Sequence, residues 1–372
     1  MITVGITGQA GFIGTHLFNY LNLDPERFTL LPFEDEYFED HEVLENWVAR
    51  CDAIVHLAAL NRHNDPEHIY TTNLKLVDGL ISAMDRAGST PHILFSSSTQ
   101  EEYTNPYGKS KKEGREKLQR WSEQKGSCFT GLVIPNVFGP FGNPYYNSVV
   151  ATFSYQINHG ELPRVEVDKE MKLIYVGKLV EVIRDCILNK HHSSELHVPH
   201  SGELKVSELL GLLQEYHTGY GEQGRLPALR NDFERDLFNT FRSYMDIAQH
   251  FPVILKQHSD ERGSFVETMH LQQGGQVSFS TTRPGITRGN HYHTRKIERF
   301  AVIHGKALIQ MRRVGSDEVL EFHLDGKNPS YVDMPVWYTH NITNVGDEDL
   351  FTIFWINEFF DPEDPDTYFE KV

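Results

Sequence analysis

The chain has 372 residues, which is enough for two or three domains and excludes a peptide or a single small module. Its 35 Lys and Arg against 52 Asp and Glu give a net charge of −17, which argues against a protein whose main partner is nucleic acid or an anionic membrane. With 39% hydrophobic and 12% aromatic residues, the composition is that of a globular chain and excludes a disordered one.

The cysteines and the N-terminus favour a soluble cytoplasmic protein. Cys51, Cys128 and Cys186 are far apart and odd in number, so neither a disulfide framework nor a cysteine zinc site is indicated. The chain starts with a glycine-rich segment and shows no leader, and no run approaches the roughly 20 apolar residues of a membrane span. We therefore expect no insertion into a membrane.

Short apolar runs alternate with amphipathic segments through the first 250 residues, which is typical of strands and helices in a parallel sheet. The predicted strands are Ile2–Thr7, Ala53–Leu57, His92–Ser97 and Thr130–Pro135. The predicted helices are Asn105–Glu123, Val206–Tyr216 and Asn231 to about Tyr244. This alternation predicts an α/β fold for the first part of the chain.

From about residue 251 the pattern changes to short apolar runs that turn residues interrupt about every ten positions, which predicts an antiparallel sandwich or barrel. These runs are Gln276–Phe279, Arg299–Ile303, Ala307–Met311, Val319–Leu324 and Leu350–Ile356. The change predicts two domains, 1–247 and 248–372. The acidic segment Asp361–Asp366 is interpreted as a solvated loop.

A glycine-rich turn follows the first predicted strand. Gly8, Gly11 and Gly14 form the pattern G-x-x-G-x-x-G between that strand and a predicted helix. Glycines permit a tight turn and a close approach of the backbone to a pyrophosphate, which the amides of a helix N-terminus bind. We predict a dinucleotide site formed by these glycines with Phe12 and Ile13.

Tyr107 and Lys111 form the pattern Y-x-x-x-K, which places both side chains on one helix face a turn apart. A phenol can pass a proton to or from a carbinol oxygen, and a neighbouring ammonium is expected to lower the pKa of that phenol. Such a pair arises by chance in a chain of this composition, so the pair by itself does not identify a catalytic site.

The order of these features is more specific. The glycine-rich turn comes first, His56-Leu57-Ala58-Ala59 and Ser96-Ser97-Ser98 end two later strands, and the tyrosine and lysine follow at the start of a helix. This series resembles the extended short-chain dehydrogenase/reductase family over residues 1 to about 245. The resemblance implies a Rossmann-type, doubly wound parallel sheet and a sugar nucleotide substrate.

The resemblance also implies a role for each side chain of the site. Ser98 would hydrogen-bond the carbonyl oxygen, Tyr107 would deliver its proton, and Lys111 would bind the nicotinamide ribose. Ser97 and Thr99 are alternatives to Ser98 within the run of hydroxyl residues. The residues implied to contact the cofactor after the glycine-rich turn are Leu57, Ala58, Ala59, Tyr107 and Lys111.

The segment 135–140 matches the strand and loop that face the substrate in this family. The implied substrate-binding residues are Arg62, Asn136, Asn147 and Ser148. A helix cap is an equally good interpretation of Asn147, and Arg62 could instead meet a 2′-phosphate or lie exposed without a role. Glu34 and Asp35 could accept bonds from an unphosphorylated ribose, which favours NAD over NADP.

A second site is predicted around His291. Gly285, His291, His293, Glu298 and Gly305 match the spacing of the first cupin motif. On a strand the two histidines point to the same face, and Glu298 can join them across a hairpin. The C-terminal part therefore resembles the cupins, which are all-β barrels.

His340, with Asn344 four residues later, fits the second cupin motif and supplies a fourth ligand. The predicted metal ligands are His291, His293, Glu298 and His340. Three imidazoles and one carboxylate suit zinc, with iron, nickel and manganese as alternatives. Pro329 and Trp337 replace two motif glycines, and a vestigial cupin with histidines as polar core groups stays open.

The start of the C-terminal part also resembles the deoxysugar 3,5-epimerases, cupin-like barrels that act on 4-keto sugar nucleotides. The residues that carry this resemblance are Asp260, Glu261, Arg262, Gly263, Ser264, Phe265 and Gln276-Val277. Those enzymes use a histidine as the base, whereas here the histidines are expected to bind metal. Tyr338, Asp260 and Lys296 are the candidates for the base.

Together the two parts resemble the bifunctional capsular polysaccharide assembling protein F (CapF-type) family over essentially the whole chain. The resemblance implies that the cupin inverts carbon 3 of a UDP-linked 2-acetamido-4-keto-6-deoxy sugar. The N-terminal domain then reduces carbon 4 with NADPH, towards UDP-N-acetyl-L-fucosamine for surface polysaccharide. The ketone makes the hydrogen on carbon 3 acidic, and a cation at the cupin site would stabilise the enolate. A homodimer is expected.

Two alternatives remain at this point. The N-terminal domain could be an NAD-dependent sugar nucleotide epimerase or dehydratase, with the cupin only as a dimerisation module. Glu101 and Glu102 keep this alternative open because dehydratases place acids after the serine-rich strand. A regulator that binds a nucleotide sugar without catalysis is disfavoured by the intact set of Ser98, Tyr107 and Lys111.

Overall fold

The computed structural model describes residues 1–261, 263–272 and 274–372. The chain divides into two compact units, Met1–Thr152 with Asp168–Val206 and Phe153–Val167 with Ser207–Val372. The predicted domain boundary between residues 247 and 248 remains a proposal. Arg262, which contributes to the resemblance to 3,5-epimerases, lies outside the described residues.

Strands and helices alternate up to residue 206, as the sequence predicts. The strands are β1 (Ile2–Thr7), β2 (Phe28–Leu31), β3 (Ala53–His56), β4 (His92–Ser98), β5 (Phe129–Ile134), β6 (Asn136–Phe138), β7 (Glu170–Tyr175), β8 (Ser193–His197) and β9 (Gly202–Lys205). The helices are α1 (Phe12–Leu21), α2 (His41–Val48), α3 (Pro66–Ala87), α4 (Pro106–Lys125), α5 (Val149–Asn158) and α6 (Val176–Leu188). Short 3-10 helices occupy Asp35–Phe38 and Thr99–Glu102.

The main sheet of the first unit has the order β2-β1-β3-β4-β5-β8, and every neighbouring pair is parallel. Apolar side chains of α1 and α6 pack on one face, and those of α2, α3 and α4 pack on the other. The predicted doubly wound parallel sheet is therefore confirmed. A smaller sheet has the order β6-β7-β9.

Helix α4 carries the predicted tyrosine and lysine and begins where the sequence predicts. The Asn105 side chain accepts a hydrogen bond from the Gly108 amide at 2.7 Å, and Pro106 occupies the first helical position. Gly126 ends the helix in the left-handed conformation, with a φ of 67°. These end signals are local, which is why the sequence locates the helix to within two residues.

The second unit begins with helices and continues as antiparallel sheets. The helices are α7 (Val206–Tyr216), α8 (Asp232–Arg242) and α9 (Ile247–His250), with a π-helical turn at His217–Glu222. The strands are β10 (Val253–Ile254), β11 (Gln257–Asp260), β12 (Gly263–Val266), β13 (Gln276–Thr282), β14 (Thr287–Tyr292), β15 (Glu298–His304), β16 (Lys306–Arg313), β17 (Val319–Asp325), β18 (Ser330–Met334), β19 (Tyr338–Asn344), β20 (Leu350–Ile356) and β21 (Tyr368–Phe369).

Two five-stranded sheets dominate this unit, in the orders β10-β18-β15-β20-β13 and β17-β16-β19-β14-β21. Their neighbouring strands are antiparallel, so the predicted all-β region is confirmed. Alternate residues such as Ala307, Ile309 and Met311 of β16 are buried and form the core with Val332 and Ile342.

None of the described helices is both long enough and apolar enough to cross a membrane.

Candidate functional site

The glycine-rich turn packs against the end of a neighbouring strand. Gly8 has a φ of 68°, and a Cβ atom there would lie 2.9 Å from the Ala58 amide nitrogen. A Cβ atom at Gly14 would overlap the Gly8 carbonyl oxygen, which accepts a bond from the Gly11 amide at 3.0 Å. Only glycines fit this turn, and it brings the backbone to the N-terminus of α1.

The remaining predicted cofactor residues lie at the same edge of the sheet. Phe12 and Ile13 open α1, and Leu57 to Ala59 follow β3, which pairs with β1. The Ala58 amide donates to the Thr7 hydroxyl at 3.3 Å, and that hydroxyl lies 2.7 Å from Nδ1 of buried His56. The carboxyl ends of parallel strands form the usual site for a dinucleotide.

The candidate catalytic residues lie on β4 and on the first turns of α4. Ser98 ends β4, and its hydroxyl accepts a hydrogen bond from the Gln100 amide at 3.2 Å. Tyr107 is half-buried, and the centroid of its ring is 5.8 Å from Nζ of Lys111. Lys111 is buried and donates to the Ser96 carbonyl at 2.8 Å.

Burial changes the pKa of both titrating groups. It raises the pKa of Tyr107 to about 12, with a smaller effect of Tyr146, and lowers the pKa of Lys111 to about 8 against the effect of Glu101. The prediction of a lowered tyrosine pKa is wrong for this structure, because desolvation of the phenol raises that pKa, and the Lys111 ammonium donates to the Ser96 carbonyl. A phenol that stays protonated near neutral pH can donate a proton.

Two features hold α4 against the turn that follows Ser98, and the sequence did not predict them. A Cβ atom at Gly108 would overlap the Gln100 carbonyl oxygen, so the helix and the turn touch through their backbones. Glu101 accepts bonds from the Ser97 hydroxyl and from Nε and Nη2 of buried Arg115, the latter two at 2.9 and 2.8 Å. Glycine after the tyrosine was the only local signal of this contact.

The four predicted substrate-binding residues differ in their surroundings. Arg62 donates to the carbonyl oxygens of Tyr145 and Tyr146 at 2.7 and 3.2 Å. Asn136 and Asn147 are exposed, and Ser148 accepts a bond from the Ala151 amide at 3.3 Å at the start of α5. Ser148 therefore supplies the cap considered for Asn147, and the substrate roles of all four residues remain predictions.

The four predicted metal ligands come together in the second unit. One ligand atom from each of the residues lies within 4.8 Å of the others. Nε2 of His293 and Nε2 of His340 lie 3.1 and 3.2 Å from Oε2 of Glu298, and Nε2 of His291 lies 4.0 Å from it. His291 is partly exposed and the other three are buried.

The chemistry of these atoms fits a divalent cation. Nε2 of His293, Nε2 of His340 and Oε2 of Glu298 are buried, and within the described part of the chain they have no hydrogen-bond partner beyond one another. The opposite ring nitrogens face backbone carbonyls, since Nδ1 of His340 is 3.1 Å from the Tyr338 oxygen and Nδ1 of His293 contacts the Asp366 oxygen. A proton on Nδ1 leaves the lone pair of Nε2 directed at the cluster, as in metal sites.

The pKa values favour the forms that bind metal for two of the ligands. Burial, assisted by the other two imidazoles, lowers the pKa of His291 to about 4. Burial alone would raise the pKa of Glu298, but His293 and His340 outweigh it and lower that pKa. At neutral pH the cluster therefore presents a neutral imidazole and a carboxylate.

The candidates for the base of the second site are separated by the fold. Lys296 is buried and its ammonium donates to the Pro365 carbonyl at 2.7 Å. Asp260 is exposed on the small sheet formed by β11 and β12. Tyr338 stands two residues before His340 on β19, on the same strand face as that ligand. Its choice as the base remains a prediction.

The acidic segment near the C-terminus is not simply a solvated loop, so that interpretation is wrong for Asp366. This residue is 2% exposed, and its carboxylate accepts hydrogen bonds from the amides of Thr294, Arg295 and Lys296 at 3.0 Å each. No local pattern could reveal these contacts, because about 70 residues separate the partners.

Both parts of the chain match known protein families. Residues 4–196 match the NAD dependent epimerase/dehydratase family, and residues 258–368 match the polysaccharide biosynthesis C-terminal domain. A UDP-2-acetamido-2,6-beta-L-arabino-hexul-4-ose reductase of Pseudomonas aeruginosa is 34% identical over 98% of this chain and 97% of its own.

Solved structures resemble this chain over all or part of its length. The capsular polysaccharide assembling protein CapF of Staphylococcus aureus is 36% identical, with full coverage of both chains and a TM-score of 0.64. RMD of Pseudomonas aeruginosa, solved with NADPH, matches 66% of this chain and 99% of its own with a TM-score of 0.56. Its identity of 20% makes this a likeness of fold alone.

Proposed function

This chain belongs to the NAD dependent epimerase/dehydratase family, and from that premise we propose that it is a bifunctional enzyme acting on a UDP-linked 4-keto sugar. The second unit inverts carbon 3 of a UDP-2-acetamido-2,6-dideoxy-4-ketohexose, and the first unit reduces carbon 4. The sequence predicted a resemblance to the CapF-type family, and the full-length relatives confirm this resemblance. The observation that carries the proposal is the convergence of His291, His293, Glu298 and His340 in a chain that also has the Ser98, Tyr107 and Lys111 set.

The reduction needs a hydride donor and a proton donor. NADPH bound at the glycine-rich turn would supply a hydride to carbon 4. Tyr107 donates its proton to the ketone oxygen. The hydride and this proton together convert the ketone to an alcohol, and the phenolate then regains a proton from solvent. Ser98 hydrogen-bonds that oxygen, and the Lys111 ammonium lowers the energy of the phenolate while it exists.

The positions of the acids support reduction over dehydration. A dehydratase needs a carboxyl group that can exchange protons with the sugar, whereas Glu101 is bound by the Arg115 guanidinium and the Ser97 hydroxyl. Glu102 is exposed. With Glu101 held in an ion pair, Tyr107 is the proton donor best placed for the reaction.

The inversion depends on the acidity of the hydrogen on carbon 3. A divalent cation held by His291, His293, Glu298 and His340 would supply positive charge that stabilises the enolate. The protein removes the proton from one face of carbon 3 and returns a proton to the other. Reduction of the ketone then removes that acidity, so the product of the first unit can no longer revert.

The finer assignments belong to the same proposal. NADPH is favoured, with NAD as the alternative because Glu34 follows β2 near the predicted ribose site. Zinc is favoured at the four ligands, with other divalent metals as alternatives. We also propose that the protein is a cytoplasmic homodimer. Its product would serve UDP-N-acetyl-L-fucosamine synthesis for capsule or surface polysaccharide.

The proposal is tested with the whole chain and a panel of UDP-linked 4-ketohexoses in deuterated water. Without a nicotinamide cofactor we expect deuterium at carbon 3, and with NADPH we expect an alcohol at carbon 4 of the inverted sugar, both read by NMR. Reduction without any deuterium or inversion at carbon 3 would leave a single-function reductase. Tightly bound NAD with no net reduction would favour the alternative epimerase or dehydratase.

Metal content tests the second unit separately. The His293→Ala variant loses one of four ligands, so its affinity for zinc should fall by more than roughly 100-fold. This loss exceeds the one expected when a residue that only hydrogen-bonds a ligand is mutated. Elemental analysis after equal dialysis against a chelator measures the effect. His323→Ala, at an exposed histidine on β17, is the matched control and should keep the wild-type content. Equal metal content in wild type and His293→Ala would contradict the ligand assignment.

A further inference from the structure

The C-terminal segment Asp361–Val372 contacts the strand β14 that carries His291 and the loop that carries His293. β21 in this segment pairs with β14, where Phe369 is opposite His291 and Tyr368 is opposite Tyr292. We infer that Asp366 is a positioning residue of the metal site, fixing the loop between His293 and Glu298. This inference rests on the proposed function, since it needs the metal.

The carboxylate of Asp366 binds the connecting loop at several points. Oδ1 accepts from the Thr294 amide at 3.0 Å and from the Thr294 hydroxyl at 2.7 Å. Oδ2 accepts from the Arg295 and Lys296 amides at 3.0 Å each. Successive amides that converge on one carboxylate form a concave anion site, which fixes the backbone of the loop. The conformation of the loop that connects His293 to Glu298 is thus fixed by Asp366, which comes later in the sequence than either ligand.

The backbone of Asp366 acts on a ligand directly, because its carbonyl oxygen contacts Nδ1 of His293. A carbonyl can only accept, so this contact requires the proton on Nδ1, and in the neutral imidazole the lone pair is then on Nε2, which lies 3.1 Å from Oε2 of Glu298. Asp366 has a φ of 40°, in the left-handed region that aspartate tolerates better than most residues. In this conformation its carbonyl and its carboxylate both meet the same loop.

Neighbouring residues hold the segment in place. Lys296 donates to the Pro365 carbonyl at 2.7 Å, and Nη2 of Arg295 lies 2.9 Å from the Asp364 carboxylate. Further on, Nη2 of Arg312 lies 2.7 Å from the Glu370 carboxylate. Since the segment orders the ligands, binding of a cation must in turn stabilise the segment, because the two equilibria are linked.

The test compares the full-length wild type with Asp366→Asn and Asp361→Asn. The side-chain amide introduced by Asp366→Asn would place an NH2 group against backbone amides that need an acceptor, whereas exposed Asp361 accepts a bond from the Glu363 amide of its own segment. Zinc transfer to a chromogenic chelator should be roughly 10- to 100-fold faster for Asp366→Asn, the usual cost of altering residues around a ligand. The Asp361→Asn rate should equal that of wild type.

Two further readouts separate positioning from general stability. The rise in Tm caused by zinc should shrink in Asp366→Asn, whereas a purely structural role lowers the Tm of the metal-free and zinc-loaded forms equally. NADPH consumption with a substrate already inverted at carbon 3 reports whether the first unit of the variant is folded. Equal zinc transfer rates, or an unchanged zinc-induced rise in Tm, would overturn the inference.

Hydrogen exchange of the wild type alone keeps the inference testable if the variant does not fold. Adding zinc to the chelator-treated chain should slow amide exchange in peptides covering Thr294–Lys296 and Asp361–Val372 together. Zinc binding without protection of the C-terminal peptide overturns the inference and leaves the proposed function intact. A wild-type chain that binds no zinc or other divalent metal overturns both.

Discussion

A Tyr107→Phe variant should consume NADPH with a UDP-linked 4-ketohexose about 100- to 10,000-fold more slowly than wild type, the range expected when a general acid is removed. The phenylalanine ring fills the same half-buried position, but no hydroxyl remains to protonate the ketone oxygen. Water replaces it poorly as a general acid, because burial raises the pKa of Tyr107 only to about 12, whereas the pKa of water is about 15.7. NADPH oxidation under saturating substrate measures the loss.

The same variant distinguishes one reaction site from two. Deuterium incorporation at carbon 3, measured without a nicotinamide cofactor, should stay at the wild-type rate in Tyr107→Phe. Tyr103→Phe is the matched control, since Tyr103 lies four residues earlier and is 62% exposed. Loss of both reactions together in Tyr107→Phe would mean that a single site performs them, contrary to the proposal.

The sequence was sufficient where the signal is local. Gly8 and Gly14 identify their turn because a Cβ atom does not fit at either position, and Asn105 with Pro106 identifies the start of α4. The period of two predicts His291 and His293 on one strand face; β14 ends at Tyr292, one residue before His293, yet the motif spacing was enough to identify four residues that come together.

What the sequence could not supply depends on contacts between distant residues. The pKa of Tyr107 depends on how deeply the phenol is buried, which periodicity does not encode, and so its direction was predicted wrongly. Asp366 looked like part of a charged loop because acidic runs are commonly solvated, but its carboxylate is bound by three amides about 70 residues earlier. The ion pair of Glu101 with Arg115 likewise joins a turn to a helix.

A His340→Ala variant should lose carbon 3 exchange by at least roughly 100-fold, the lower end of the effect of removing one group that stabilises developing negative charge. His340 lies on β19 between β16 and β14, is fully buried, and has its Nε2 3.2 Å from Oε2 of Glu298, so its loss leaves three of the four ligands. Deuterium incorporation at carbon 3 in deuterated water measures the loss.

The same His340→Ala variant should still oxidise NADPH when supplied with a sugar already inverted at carbon 3, because Ser98, Tyr107 and Lys111 are untouched. That retained activity also shows that the first unit is folded. His304→Ala, at an exposed histidine of β15 paired with Glu348, is the control and should keep both reactions. Wild-type exchange in His340→Ala would remove the four ligands from the inversion and leave the second unit without a chemical role.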